Sequence, residues 1–153
     1  MRPCSNRSFP PSMKEHPMSQ HQGQCHCGAI RYLLKMKPMR VVNCHCNFCR
    51  SHTGAPFSTF AAVAQTRFEI EMGEEHLSRY KVGERGIKHF CSQCGTPLFN
   101  QNHKFPGLNM VYLGTLANAH NFTPAINVWC DSKLDWVDGV GTIESKGQGV
   151  ERS

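Results

Sequence analysis

Long apolar segments are missing from this 153-residue sequence, in which hydrophobic residues make up only 39%. No run of about 18 apolar residues occurs, so the sequence predicts no membrane-spanning helix. The first twenty residues also lack the apolar stretch of a secretory signal, and we therefore expect a cytoplasmic protein. Thiols stay reduced in the cytoplasm, where clustered cysteines indicate metal binding more often than disulfides. A bound structural metal is also a common way to stabilise a small domain with a modest core.

Clusters of basic residues are scarce as well, although the formal net charge is +6. No run of five basic residues occurs, and the densest group consists of Lys35, Lys37 and Arg40. Metal binding would reduce this charge further, because seven thiolates that hold two divalent ions such as zinc would lower it to about +3. We therefore expect neither a nucleic-acid partner nor a membrane partner, and the sequence leaves the oligomeric state open.

Long stretches with the 3.6-residue period of a helix are absent too, whereas short strand-like and turn-like segments follow one another from Gly23. Thirteen glycines and regular turn signals favour an all-β domain with at most short helical turns. The segment from Thr115 to Asn121 best suits one such turn. The strand candidates are residues 29–34, 57–63, 67–71, 77–82, 87–90, 97–99, 109–114 and 125–129.

Composition divides the chain into three parts. Residues 1–20 are rich in proline and serine, with almost no periodic apolar pattern, and we predict a disordered leader there. Residues 21–140 contain the strand candidates and seven clustered cysteines and form the predicted domain, for which these cysteines predict zinc binding. Residues 141–153 are polar and glycine-rich, and we predict a flexible tail.

Cysteine, by contrast, is abundant: the chain has nine cysteines, and seven of them fall into three clusters. A C-x-x-C turn can bring both of its sulfurs to one metal ion, whereas a C-x-C pair in a flat strand points its side chains to opposite faces. Cys25 and Cys27 must therefore sit on a bend if they hold the same ion. The clusters are Cys25-His-Cys27-Gly28, Cys44-His-Cys46-Asn-Phe-Cys49 and Cys91-Ser-Gln-Cys94-Gly95.

Seven sulfurs suit two metal sites of different kinds. Four thiolates close a structural zinc site, and three leave the open position that catalytic zinc requires. Spacing alone does not decide the pairing, because the three cysteines of the middle cluster could share one local loop, or Cys46 and Cys49 could form a zinc ribbon with the last cluster. Iron–sulfur ligation and plain buried thiols are further alternatives. Cys130 has no neighbour of its kind and is expected to be a core thiol, and Cys4 a free one.

The order C-x-C-G, C-H-C-x-x-C-R and C-x-x-C-G-T resembles the glutathione-dependent formaldehyde-activating family, which includes the centromere protein V relatives. The resemblance runs from about Gly23 to Gly139. The segments that carry it are Cys44-His-Cys-Asn-Phe-Cys-Arg50, Gly54-Ala-Pro-Phe57, Phe90-Cys-Ser-Gln-Cys-Gly-Thr-Pro-Leu-Phe99 and Asp131-Ser-Lys-Leu-Asp-Trp136.

This resemblance implies an Mss4-like fold of antiparallel sheets around a structural zinc. It also implies a carbon–sulfur lyase that condenses glutathione with formaldehyde, and hence a small thiol and a small aldehyde as partners. By the family pattern, the structural zinc takes Cys25, Cys27, Cys91 and Cys94. A second, catalytic zinc, which we expect to be labile, takes Cys44, Cys46 and Cys49.

These residues suggest a mechanism and one alternative. We hypothesise that a small thiol loses its proton at the open position of the second zinc and attacks a small aldehyde beside it. Arg50 and Lys88 are candidate cations for this negatively charged site, and His52 could instead close it as a fourth ligand. The alternative is a zinc-stabilised binding module without catalytic activity.

Overall fold

The computed structural model describes residues 20–150, which form two β-sheets with short helices between the strands. The strands are β1 (His21–Gln24), β2 (Arg31–Leu34), β3 (Arg40–Cys44), β4 (Ser58–Ala64), β5 (Phe68–Met72), β6 (Leu77–Val82), β7 (Gly86–Cys91), β8 (Pro97–Asn102), β9 (Leu108–Tyr112) and β10 (Ile126–Val128). One α-helix, α1 (Asn47–Thr53), follows β3. Short 3-10 helices lie at Gln65–Arg67, Glu74–His76, Leu113–Thr115, Ala119–Asn121, Cys130–Ser132 and Asp135–Thr142.

The strands are arranged in a small sheet of order β1-β2-β5 and a large sheet of order β10-β3-β4-β9-β8-β7-β6. All named pairings are antiparallel except that of β10 with β3, which is parallel. The predicted all-β class is therefore confirmed, with one parallel pair in an otherwise antiparallel sheet. In the described part of the chain, no helix is long and apolar enough to cross a membrane.

The large sheet presents two different faces because successive side chains of a strand point to opposite sides. One face, which we call the core face, packs against the small sheet. Its Val41, Ala61 and Val111 belong to the same buried cluster as Tyr32 and Leu34 of β2. Aromatic contact continues this packing, since the ring centroid of Phe68 in β5 lies 4.7 Å from that of Phe99 in β8.

The opposite face carries polar and sulfur-containing side chains, and we call it the trio face after the three neighbouring cysteines Cys44, Cys46 and Cys49. Register places Phe60 opposite Tyr112, Met110 opposite Asn100, and Asn100 opposite Lys88, so these residues share one side of the sheet. Cys44 lies opposite Ser58 on the same side. The helix α1 contacts this sheet at β4, so its residues lie close to the strand ends that carry Cys44.

The strand candidates agree with β2, β4 to β9 and β10, whereas β1, β3 and α1 were not predicted. The expected turn between Thr115 and Asn121 is present as the 3-10 helix Ala119–Asn121. Of the predicted leader, residues 1–19 lie outside the described residues. The domain limits and the flexible tail therefore stay predictions.

Candidate metal centres

Four cysteines from two distant parts of the chain meet at one point. We call Cys25, Cys27, Cys91 and Cys94 the cysteine quartet; their sulfurs all lie within 4.8 Å of one another. Cys25 begins the bend between β1 and β2, where its carbonyl accepts a hydrogen bond from Gly28 N at 3.1 Å. Cys91 ends β7, and its carbonyl accepts a hydrogen bond from Gly95 N at 2.8 Å in the turn that leads to β8. The C-x-C pair thus lies on a bend, as its spacing requires.

The quartet has the sulfur spacing of a tetrahedral zinc site. Zinc–sulfur bonds of about 2.3 Å place sulfurs about 3.8 Å apart, and the Cys25–Cys27 and Cys27–Cys91 sulfur distances are 3.5 and 3.9 Å. The Ile30 amide also donates to the Cys25 sulfur at 3.2 Å. Burial raises the pKa of the Cys25 thiol to about 12, so a nearby cation is needed to hold this group as a thiolate. The donor set and its spacing fit a zinc ion.

The three remaining clustered cysteines form a second, local group. We call Cys44, Cys46 and Cys49 the cysteine trio; their sulfurs also lie within 4.8 Å of one another. Cys44 ends β3, Cys46 is the N-cap of α1, and Cys49 lies in the first turn of that helix. The Cys46 sulfur accepts a hydrogen bond from Cys49 N at 3.2 Å, in the way that a serine or aspartate side chain caps a helix. The single local loop that the sequence allowed for these three cysteines is therefore the start of a helix.

Negative charge is unequally shared in the trio. The hydrogen bond that the Cys49 thiol donates at 3.5 Å is the main reason why the pKa of Cys44 falls to about 6. The same bond, together with burial, raises the pKa of Cys49. Of this hydrogen-bonded pair Cys44 therefore loses its proton more readily than Cys49, and binding of a metal cation favours the loss of further protons.

No fourth side chain joins the trio among residues 20–150. No histidine, aspartate or glutamate ligand atom there lies within 4.8 Å of all three sulfurs. The predicted alternative ligand, His52, instead has its ring centroid 6.5 Å from that of Phe48 and 6.4 Å from that of Tyr112. The geometry therefore does not place His52 as a closing ligand, and the trio has three protein donors among the described residues.

The two candidate cations differ in what they contact. Arg50 donates from its guanidinium to the carbonyl oxygens of His45 and Ser132 and, at 2.6 Å, to Asn47 Oδ1. These contacts tie the start of α1 to the segment after β10. These hydrogen bonds give Arg50 a structural role in the local fold.

Lys88 is buried on the trio face, with only 5% of its surface exposed. Its Nζ donates to the Tyr112 hydroxyl at 3.4 Å and lies 4.8 Å from the centre of the Phe48 ring. Burial lowers the pKa of the Lys88 ammonium, and the three thiols of the trio act in the opposite direction. The electrostatic partners of Lys88 are the thiols of the trio, the site for which the sequence had offered it as a candidate cation.

Two histidines that adjoin cysteines have structural contacts of their own. His45 is buried, with Nε2 at 3.1 Å from Asn127 Oδ1 and its ring packed on Phe57. His89 lies on the core face, where its ring stacks on Phe99 with 4.2 Å between centroids. Burial lowers the pKa of His89 to about 4. Cys130 corrects a further expectation, because this thiol is exposed rather than part of the core.

The observed grouping of sulfurs is a quartet and a trio, and the alternative zinc ribbon of Cys46 and Cys49 with the last cluster is not formed. No disulfide is present among the eight cysteines of the described residues. The assignment of zinc to each group stays a prediction. Its physical basis is that both groups offer thiol donors at metal-ligand spacing.

Comparisons with known proteins agree with this picture. A Halomonas elongata protein, provisionally named a glutathione-dependent formaldehyde-activating enzyme, is 27% identical over 134 residues, which cover 83% of each chain. An uncharacterized lyase of Schizosaccharomyces pombe is 27% identical over 123 residues, which cover 79% of this chain and 86% of that protein. A crystal structure of a Rhodobacter sphaeroides protein shares the fold, with a TM-score of 0.56 at 22% identity over 70% of this chain and 99% of that chain.

The family comparison covers most of the domain. Residues 20–132 match the family described as glutathione-dependent formaldehyde-activating enzyme. This match includes all seven cysteines of the quartet and the trio. The chain therefore belongs to the glutathione-dependent formaldehyde-activating enzyme family.

Proposed function

We propose that the protein is a zinc-dependent enzyme of the carbon–sulfur lyase type, which adds a small thiol such as glutathione to a small aldehyde such as formaldehyde. Family membership supports the reaction class. The observation that carries the proposal is the trio itself: three thiols face one point, and no fourth protein donor from residues 20–150 joins them. A site of this composition can accept a ligand from solution.

The quartet would hold a structural zinc, and the trio a second zinc. A zinc ion in the trio would supply a fourth coordination position and lower the pKa of a thiol bound there. The trio lies in largely apolar surroundings, since Cys44 and Cys49 belong to the same buried cluster as Phe60 and Tyr112. A low dielectric strengthens the attraction between a thiolate and nearby cations or donors.

The position of the trio is fixed by contacts with β10. His45 N donates to Val128 O at 3.0 Å, and the His45 ring contacts Asn127 Oδ1 at 3.1 Å. These contacts hold the connection between β3 and α1, on which all three sulfurs depend. The bound thiol therefore meets a site whose geometry is set before binding, which reduces the ordering required for reaction.

An open pocket on the trio face can receive the rest of the thiol. Its volume is about 320 Å³, and it is lined by His52, Tyr80, Phe90, Gly95 and Pro97. The His52 ring connects it to Phe48 and Tyr112, which border the trio and Lys88. We propose that the thiol substrate extends from the trio into this pocket.

Cobalt substitution tests the proposal directly. We expect the protein to bind two metal ions, and added glutathione to change the visible absorption of only one of them. The same preparation should accelerate formation of the hemithioacetal from glutathione and formaldehyde above the uncatalysed rate. If glutathione and smaller thiols leave the cobalt spectrum unchanged, the trio has no open position and the proposed chemistry is excluded.

A binding module without catalytic activity is the second candidate, and one observation favours it. The quartet alone joins the bend after β1 to the turn after β7, so a single zinc ion could stabilise the fold without any reaction at the trio. This candidate predicts one tightly bound metal per chain and no response to thiols. The cobalt experiment therefore separates the two functions.

A further inference from the structure

The buried ammonium of Lys88 has no acidic partner in the described part of the chain. The ion pairs there involve Lys35, His76, Lys133 and Lys146, and none involves Lys88. Lysine is rarely buried unless its charge is paired or hydrogen-bonded. The negatively charged groups that act on Lys88 are the thiols of the trio.

Two polar side chains hold the Lys88 ammonium in place. With the Asn100 amide oriented so that its oxygen faces donors, that oxygen accepts from Lys88 Nζ at 3.1 Å and from the Tyr112 hydroxyl at 3.2 Å. In the opposite orientation the amide nitrogen would face another donor. Lys88 Nζ also donates to the Tyr112 oxygen at 3.4 Å. Two of its three N–H bonds are thus used, and one is left for a further acceptor.

The surroundings of Lys88 connect it with the trio. Its ammonium lies 4.8 Å from the centre of the ring of Phe48, a residue of α1 that stands between Cys46 and Cys49 in the sequence. The Tyr112 side chain, which binds Lys88 through its hydroxyl, packs against Cys44 and Cys49. The Lys88 ammonium therefore shares its neighbour Tyr112 with the trio and lies near enough to the trio for its thiols to act on it electrostatically.

We propose that Lys88 is a further catalytic residue, which binds the carbonyl oxygen of the aldehyde and stabilises the alkoxide that forms when the thiolate attacks. Tyr112 and Asn100 are positioning residues that orient the ammonium. This inference rests on the proposed addition of a thiol to an aldehyde. A fixed cation aimed at a developing oxyanion in a water-poor site is an effective form of catalysis.

The step is balanced without another reactant. The thiol first loses its proton to water, and the electron pair of the sulfur then forms the new carbon–sulfur bond. The π electrons of the carbonyl move onto its oxygen, where Lys88 donates a hydrogen bond to the negative charge. The alkoxide takes a proton from water, so that no oxidant or reductant is required.

A pair of thiols of similar size provides the test on the cobalt-loaded protein. Mercaptoacetate carries a carboxylate close to its sulfur, which imitates the oxyanion, and ethanethiol carries none. We expect the unmodified protein to bind mercaptoacetate about tenfold more tightly than ethanethiol, because hydrogen bonds to charged groups are strong. Lys88→Met should remove this preference and leave ethanethiol binding unchanged, whereas Lys88→Arg should keep part of it.

Lys81→Met is the matched control, because Lys81 is an exposed lysine on the neighbouring strand β6. It should preserve the preference for mercaptoacetate. Lys88→Gln provides a second neutral variant in case Lys88→Met does not fold. Tyr112→Phe should lower kcat for hemithioacetal formation with little change in KM for the thiol, since it disturbs only the orientation of Lys88.

The outcomes separate this inference from the function on which it rests. If both thiols bind and the neutral Lys88 variants keep the preference for mercaptoacetate, the role of Lys88 is wrong and the proposed function stands. If those variants weaken both thiols equally, Lys88 merely balances thiolate charge, which also contradicts the proposal. If the unmodified protein binds neither thiol, the proposed function fails together with this inference.

Discussion

The quartet and the trio use the same ligand type but differ in how far apart their cysteines lie in the sequence. The quartet joins Cys25 and Cys27 to Cys91 and Cys94, across most of the strands of the domain. The trio falls within six residues at the start of α1. A cross-link between distant parts of the chain restricts the unfolded state more than a local one does. The two groups therefore should differ in their contribution to stability.

Loss of one quartet thiol should have the largest effect. Binding of a structural zinc supplies about 10–16 kcal/mol in small zinc domains, which is as large as the whole free energy of about 5–15 kcal/mol that stabilises a typical fold. We therefore expect Cys91→Ser or Cys94→Ser to be unfolded at 37 °C, as measured by circular dichroism. Cys130→Ser is the control, because Cys130 is exposed and lies outside both groups; it should fold normally.

The matching change in the trio, Cys46→Ser, should abolish thiol binding and leave the fold intact. Serine is a good N-cap residue, so its hydroxyl can replace the Cys46 sulfur in the hydrogen bond to Cys49 N. We expect one metal per chain instead of two by elemental analysis, no response of the cobalt spectrum to glutathione, and a Tm lowered by less than about 5 °C. Equal destabilisation by Cys46→Ser and Cys94→Ser would contradict the division of roles.

The same contrast between local and distant contacts explains which strands could be predicted from the sequence. Alternation of apolar residues indicated most strands, because their side chains meet the core face. β1 has the sequence HQGQ and carries no such pattern. It is a strand because it pairs with β2, and a Cβ atom at Gly23 would lie only 2.1 Å from the Tyr32 ring. A contact between strands of this kind cannot be inferred from β1 alone.

The candidate site was predictable to a similar extent. Ligand spacing identified the seven cysteines, but their division into quartet and trio came from family resemblance, since spacing allowed two pairings. The helix α1 was missed although two signals were present: a residue able to accept a cap hydrogen bond at Cys46 and a glycine at Gly54. Burial of Lys88 had no signal in the sequence, because it depends on how β7 packs beneath α1.

The third prediction concerns the loss of stability in acid that is caused by His89, a histidine near the quartet, rather than by the quartet thiols. His89 lies two residues before Cys91 in β7, on the core face, and burial lowers its pKa to about 4. The unfolded chain therefore binds a proton at higher pH than the folded one. The stability that the neutral ring contributes is complete above about pH 6.5 and is lost as the pH falls towards 4.

Urea unfolding at pH 7 and pH 5 measures this effect. Between these two values, the unmodified protein should lose about 1–2 kcal/mol more of its free energy of unfolding than His89→Gln does. His103→Gln, at an exposed histidine, should behave like the unmodified protein. Equal losses in all three proteins would assign the acid sensitivity to the cysteines instead.

The smallest predicted effect concerns the trio and comes from the end of α1. Gly54 has φ 69°, in the left-handed region, and its N–H donates to Arg50 O at 2.7 Å, which ends the helix. A Cβ atom there would meet nothing within 4 Å, so Gly54→Ala changes only the conformational preference of the backbone. We expect a loss of about 1 kcal/mol in urea unfolding and weaker thiol binding, because strain at this position is relieved by movement of α1, which carries Cys49 and is capped by Cys46. Gly147→Ala, in the exposed C-terminal segment, should change neither quantity. If Gly54→Ala lowers stability but leaves thiol affinity unchanged, the trio is held by β3 and β10 rather than by the helix.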